Sequence, residues 1–205
     1  MAFTGWPVEA VEFYEGLEAD NSRTYWQAHK ATYDECVKAP MEELLAELAG
    51  SFGEGRIFRP NRDTRFSKDK TPYKLNCAAI LPGGYVSFSA DGLFAGCGLY
   101  RPEPPQLRRF REAVADDRSG PELEAILAAL RRGGAEVSAG DVLRTAPRGF
   151  PKDHPRLELL RHKGIVARKE WPVGAWLGTR KAKDRVVTFL ESARPLATWL
   201  DRHVG

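Results

Sequence analysis

Cysteine, histidine and methionine are scarce in this chain of 205 residues, with 3, 4 and 2 copies. Cys36, Cys77 and Cys97 are odd in number, widely spaced and without a C-x-x-C pair, so they read as buried thiols in a reducing compartment. His29, His154, His162 and His203 are as scattered as the cysteines, and no set of these residues has metal-ligand spacing. A metal would have to rest on carboxylates. No stretch reaches the uninterrupted apolar length of a membrane span, and the N-terminus has no basic region followed by an apolar core, so the expected location is cytoplasmic. Internal repeats and low-complexity segments are lacking too. So are the familiar catalytic signatures G-x-x-x-x-G-K-S/T, G-x-G-x-x-G after a strand, G-x-S-x-G and H-E-x-x-H, which leaves any cofactor unknown.

What is present suffices for one sizeable core: 42% of residues are hydrophobic and 10% aromatic. One α+β domain over residues 1–205 is expected. The net charge of +3 hides a steep division along the chain. Residues 1–55 are net −8, 56–74 are +5, 75–100 are −1 and 101–205 are +7. Such asymmetry suits a local anion site better than a sheath for long nucleic acid.

Helical periodicity opens the chain. Pro7–Leu17 has Val8, Val11, Tyr14 and Leu17 on one side and Glu9, Glu12 and Glu15 on the other. Asp20-Asn21-Ser22 offers N-cap chemistry for a second helix with Trp26, His29, Tyr33 and Val37 in a stripe that ends before Pro40. A third helix carries Met41, Leu44, Leu45 and Leu48. After Lys74 the period becomes alternating, with Leu75, Cys77, Ala79 and Leu81 on one face. Pro82-Gly83-Gly84 and Asp91-Gly92 then turn the chain into two further strands. An antiparallel meander results, packed against N-terminal, central and C-terminal helices. In its third strand Phe94, Gly96, Gly98 and Tyr100 share a face; glycine there signals a pocket floor or a close approach of another element. Helices follow from Pro104-Pro105 and from Pro121. A strand is expected at Gly164–Lys169, and a last helix is capped by Thr179 and kinked or split at Pro195.

Between these halves lies Arg56 to Lys74, R-I-F-R-P-N-R-D-T-R-F-S-K-D-K-T-P-Y-K, where seven cations meet two carboxylates. Arginines at every third position match neither a strand face nor a helical stripe, and Pro60 and Pro72 oppose helix. Arg59 to Lys74 therefore reads as an ordered loop. Arg59, Arg62 and Arg65 would offer forked donors to phosphate or carboxylate oxygens, with Lys68, Lys70 and Lys74 adding point charges. The plainer reading is internal pairing, with Asp63 and Asp69 neutralising neighbours and holding turns. Downstream, A-P-R-G-F-P-K-D-H-P at 146–155 is a second polar cluster. His154, tuned by Asp153, is the candidate acid or base; alternatively Asp153 or His154 only caps a short helix.

The run R-D-T-R-F-S-K-D-K-T-P-Y-K at 62–74 resembles the signature of a family catalogued as domain of unknown function 2461. Asn21 with Trp26, Lys30 and Tyr33, Gly92 to Pro102, and Pro147 to Pro155 agree with it. The resemblance implies one α+β domain and carries no established activity. Three functions stay open from the residues. One is a site for a phosphorylated or otherwise anionic small molecule, with or without phosphoryl chemistry assisted by the arginines and His154. Another is a non-catalytic module for nucleic acid or an acidic protein segment. The third is a purely structural clasp.

Overall fold

The computed structural model describes residues 2–205. Helix α1 covers Val8–Ala19 and buries Ala10, Val11, Phe13, Tyr14 and Leu17. Val8, expected inside, is 63% exposed because the buried face runs through Ala10, Phe13, Tyr14 and Leu17, and Val8 points away from it. Ser22 caps α2, Arg23–Ala28, by accepting from the Tyr25 amide at 3.1 Å. After α3, Lys30–Thr32, a π-helical segment Tyr33–Lys38 runs directly into α4, Ala39–Phe52. Pro40 thus does not end the helical run as expected. Ala39 N–H reaches back five residues to Asp34 O, and this wider turn gives the proline ring room where a regular α-turn would clash with a carbonyl.

Strands β1 (Arg56–Ile57), β2 (Asn76–Leu81), β3 (Gly84–Ser89) and β4 (Gly92–Leu99) follow. Then come α5 (Pro104–Ala115), α6 (Ser119–Arg132), β5 (Glu136–Ser138), α7 (Leu157–Leu160), β6 (Ile165–Pro172) and α8 (Lys181–His203). The six strands form one antiparallel sheet in the order β1-β2-β3-β4-β6-β5, so the fold is α+β. Helix α8 continues through Pro195, which is exposed, so the helix is not split there.

Packing separates two compact units. The first runs to Ala95 and takes in Glu170–Thr188; the second is Gly96–Lys169 with Phe189–Gly205. In the first, Trp6 is 1% exposed, stacks on Phe88 with centroids 5.0 Å apart and donates its indole N–H to Val37 O at 3.2 Å. Phe13 meets Trp26 edge-on at 5.7 Å and Tyr33 at 5.5 Å, tying α1 to the next helices. Glu47 on α4 accepts from Phe3 N, Arg180 and Lys183, which holds its carboxyl down at about 2. In the second unit, Phe110, Leu123, Leu127, Leu196 and Trp199 form the core, and Trp199 donates to Ser119 O at 3.0 Å. Gly98 has φ +144, and a Cβ there would sit 2.1 Å from Ile165 O. Close approach of a neighbouring strand therefore accounts for this glycine.

Candidate functional site

The basic stretch is a hairpin extension of the sheet edge. Phe58 N donates to Ala78 O at 2.8 Å, continuing the β1–β2 ladder. Lys74 N then donates to Pro60 O at 2.8 Å and Arg62 N to Pro72 O at 2.9 Å, with Asn61 bridged to Tyr73. Pro60 and Pro72 lend only carbonyls to this ladder, so their missing N–H groups cost nothing. Asn21 clasps the returning strand with both ends of its amide. Its Nδ2 donates to Tyr73 O at 3.0 Å, and its Oδ1 accepts from Tyr73 N at 3.1 Å. Tyr73, 7% exposed, stacks on Trp26 at 4.2 Å with the rings 10° from parallel.

The tip, residues 63–71, is held by its own side chains. Asp63 accepts from Arg65 Nε at 3.0 Å and Nη2 at 2.8 Å, and from the Arg65 amide at 3.2 Å. These bonds lower the Asp63 pKa and raise that of Arg65. Asp69 accepts from the amide and hydroxyl of Thr71 at 2.9 Å each, and its other oxygen takes Arg62, which also donates to the Thr71 hydroxyl. The Thr71 amide first and Arg62 second bring the Asp69 carboxyl down to about 2. Lys70 donates to Thr64 O at 2.9 Å and Lys74 to Arg59 O at 2.8 Å. Arg59 and Lys68 form no ion pair among the described residues. Both carboxylates of the hairpin are thus taken by Arg62 and Arg65, while Arg59, Lys68, Lys70 and Lys74 stay unmatched by a carboxylate. Phe66, at the tip, is 96% exposed, with the Arg65 guanidinium 5.9 Å from its ring centre.

All six predicted anion ligands therefore lie on one hairpin in the first unit, while Asp153 and His154 belong to the second. His154 does not cap α7, whose N-cap is Arg156. Its Nδ1 accepts the Arg156 amide at 3.0 Å within a local turn. Asp153 is exposed. The notable group in this segment is Arg156, 7% exposed, whose donors go to Val114 O, Ala115 O and Asp116 O at 2.7, 2.9 and 3.2 Å. Among the described residues no group of three or more His, Cys, Asp or Glu side chains is placed to hold a metal ion, and no helix is long and apolar enough to cross a membrane.

Sequence reasoning marked the Phe94 face of β4 as a candidate pocket floor but missed the row of rings that Phe94 joins on the outer face of the sheet. Phe58, Tyr85 and Phe94 form a row there, with centroid separations of 6.4 and 5.7 Å. Arg56 and Lys74 lie over the Phe58 ring at 5.6 and 5.4 Å. The alternation of Tyr85, Ser87 and Ser89 along β3 was the available signal.

The hairpin holds the run that resembles that family's signature, and comparison with known proteins shows the family itself. The chain belongs to the family described as Conserved hypothetical protein (DUF2461), which it matches over residues 9–199. No curated protein matches it. Among solved structures it is similar to that of an uncharacterized protein from Methanothermobacter thermautotrophicus, with 14% identity, 82% of this chain and 99% of that chain covered, and a TM-score of 0.40.

Proposed function

We propose that the protein binds a phosphorylated or otherwise anionic ligand through the hairpin of residues 59–74. One observation carries the reading: the two carboxylates of the hairpin are consumed by Arg62 and Arg65, and four further cations are gathered on the same rigid element without a carboxylate of their own. Lys70 and Lys74 also hold main-chain carbonyls of the hairpin, whereas among the described residues Arg59 and Lys68 have no such partner and exceed what a structural clasp needs. The internal pairs fix the backbone, and the surplus supplies an attractive field. Binding would therefore meet a preorganised site, because Asn21 and Trp26 hold Tyr73 and the loop does not have to order.

The test is thermal unfolding with phosphate, sulfate, sugar phosphates, nucleotides and oligonucleotides at two salt concentrations. A ligand at about a hundred times its dissociation constant adds roughly 2.7 kcal/mol, several degrees for a protein of this size. The shift should vanish in an Arg59→Ala/Lys68→Ala variant whose own melting point is unchanged. A site without function would show no shift with any anion. The exposed Phe66 beside Arg65 favours a second reading, a non-catalytic module for single-stranded nucleic acid, since an exposed ring among cations provides a stacking platform. In that case oligonucleotide affinity should fall steeply with salt and drop on Phe66→Ala.

A further inference from the structure

We infer that the anionic ligand is a nucleotide, its phosphates held by the cations at the β1 edge and its base and ribose received in a cavity on the outer face of the sheet. This rests on the anion-binding reading and extends it to the part of the ligand that is not phosphate. The cavity, about 520 Å³, is of the size that takes a small organic ligand, and its walls include Tyr85, Phe94, Asn76, Ser87, Asp91 and Glu170. Tyr85 and Phe94 meet at 83°, so a flat ring lying on one of them is met edge-on by the other. Asn76 donates to Ser87 Oγ at 2.7 Å, which fixes an amide and a hydroxyl beside the rings.

Charge gives the ligand its direction. The aromatic row leads from the cavity through Tyr85 to Phe58, where Arg56 and Lys74 stand over the ring. Lys74 belongs to the proposed anion-binding hairpin. At the far side stand Asp91, at the start of β4, and Glu170 on β6. Carboxylates repel phosphate but accept from ribose hydroxyls and exocyclic amines. From β1 to β4 is three strand spacings, about 14 Å, comparable with the length of a nucleoside diphosphate. A polynucleotide crossing the same face would have to carry its backbone past the two carboxylates, so a single nucleotide fits this polarity better than a strand.

Titration calorimetry on the full chain tests the assignment with a purine and a pyrimidine nucleoside diphosphate, adenosine, ribose 5-phosphate, pyrophosphate and an oligonucleotide. The variants are Phe94→Leu, Tyr85→Leu and Lys74→Ala, with circular dichroism confirming their folding. At least one diphosphate should bind about tenfold or more tighter than ribose 5-phosphate. Phe94→Leu or Tyr85→Leu should remove that advantage while leaving pyrophosphate binding unchanged, and Lys74→Ala should weaken every phosphate ligand. If diphosphates bind no better than pyrophosphate and the ring variants change nothing, the nucleotide assignment falls and anion binding stands. If adenosine binds as well as the diphosphates and pyrophosphate not at all, the anion reading falls and the cavity remains as a base site. An oligonucleotide that binds more tightly than any diphosphate overturns the assignment in favour of nucleic acid.

Discussion

Arg62 and Arg156 both sit in turn-rich polar stretches, yet they serve opposite ends. Arg156 is buried, and its donors close the C-terminal end of α5, taking the Val114 and Ala115 carbonyls that the helix cannot satisfy itself and sharing the Asp116 carbonyl with the Gly120 amide. Its one carboxylate contact, Asp117, is fully exposed, so the carbonyls rather than an ion pair hold it in place. Arg62 has a side chain 28% exposed, and it spends its donors on Asp69 and Thr71 at the tip of its own hairpin. The first arginine finishes a helix and leaves nothing over. The second stiffens a loop and takes up one of the two carboxylates there. A basic residue in a polar cluster is thus a functional candidate only after its partners are counted.

The sharpest way to break this contrast is Arg156→Ala. It strips the Val114 and Ala115 carbonyls of their Arg156 donor, leaves Asp116 O with the Gly120 amide alone, and opens a void beside Gly120, where a Cβ would lie 2.3 Å from Arg156 Nε. The expected loss is about 3 kcal/mol or more in urea unfolding. Arg156→Lys should recover only part of it, since an ammonium cannot reproduce the fork. Asn21→Ala comes next, at about 1–3 kcal/mol, because the Tyr73 amide and carbonyl lose their partners together. Faster amide exchange at Tyr73 and weaker anion binding should accompany it. Arg62→Ala should cost less global stability than either, while lowering anion affinity by loosening the tip. Equal losses for Arg62→Ala and Arg156→Ala would mean that the hairpin is a core element, and the distinction between the two arginines would fail.

Much of this was legible in the sequence, and the exceptions have physical causes. The change of period after Lys74 announced β2 to β4, and the charge count located the hairpin. Pro60 and Pro72 excluded helix, though they did not reveal that their carbonyls would close a ladder. Pro40 and Pro195 were misread because a breaker rule takes no account of a widened turn before the ring or of a proline on the exposed side of a helix. The clasp by Asn21 spans 52 residues of sequence, and no local pattern reports so distant a pairing. The row of Phe58, Tyr85 and Phe94 also spans separate strands, and only the register of the sheet brings it together.

The smallest expected effect compares Asp116, whose main-chain carbonyl accepts from Arg156, with Asp69, whose carboxylate accepts from Arg62. Both are held at about 2 against an ordinary 3.8, each chiefly by a main-chain N–H: Ser119 for Asp116 and Thr71 for Asp69. A depressed carboxyl contributes stability that is complete above its unfolded value and is lost as the pH falls through the folded value. Both contributions should therefore fade between about pH 4 and pH 2. They differ in what they hold. Asp116 accepts from the Arg118 and Ser119 amides at 2.9 Å and starts α6, so Asp116→Asn should lower global stability near neutrality and flatten its acid limb. Asp69 governs only the hairpin tip, so Asp69→Asn should leave the global unfolding curve almost unmoved. Amide exchange at Thr71 should rise in that variant at about pH 6 and converge with wild type at the acid end. A flattened global curve for Asp69→Asn would show that the tip unfolds together with the core, and the hairpin would then be too tightly coupled to the fold to act as a separate binding element.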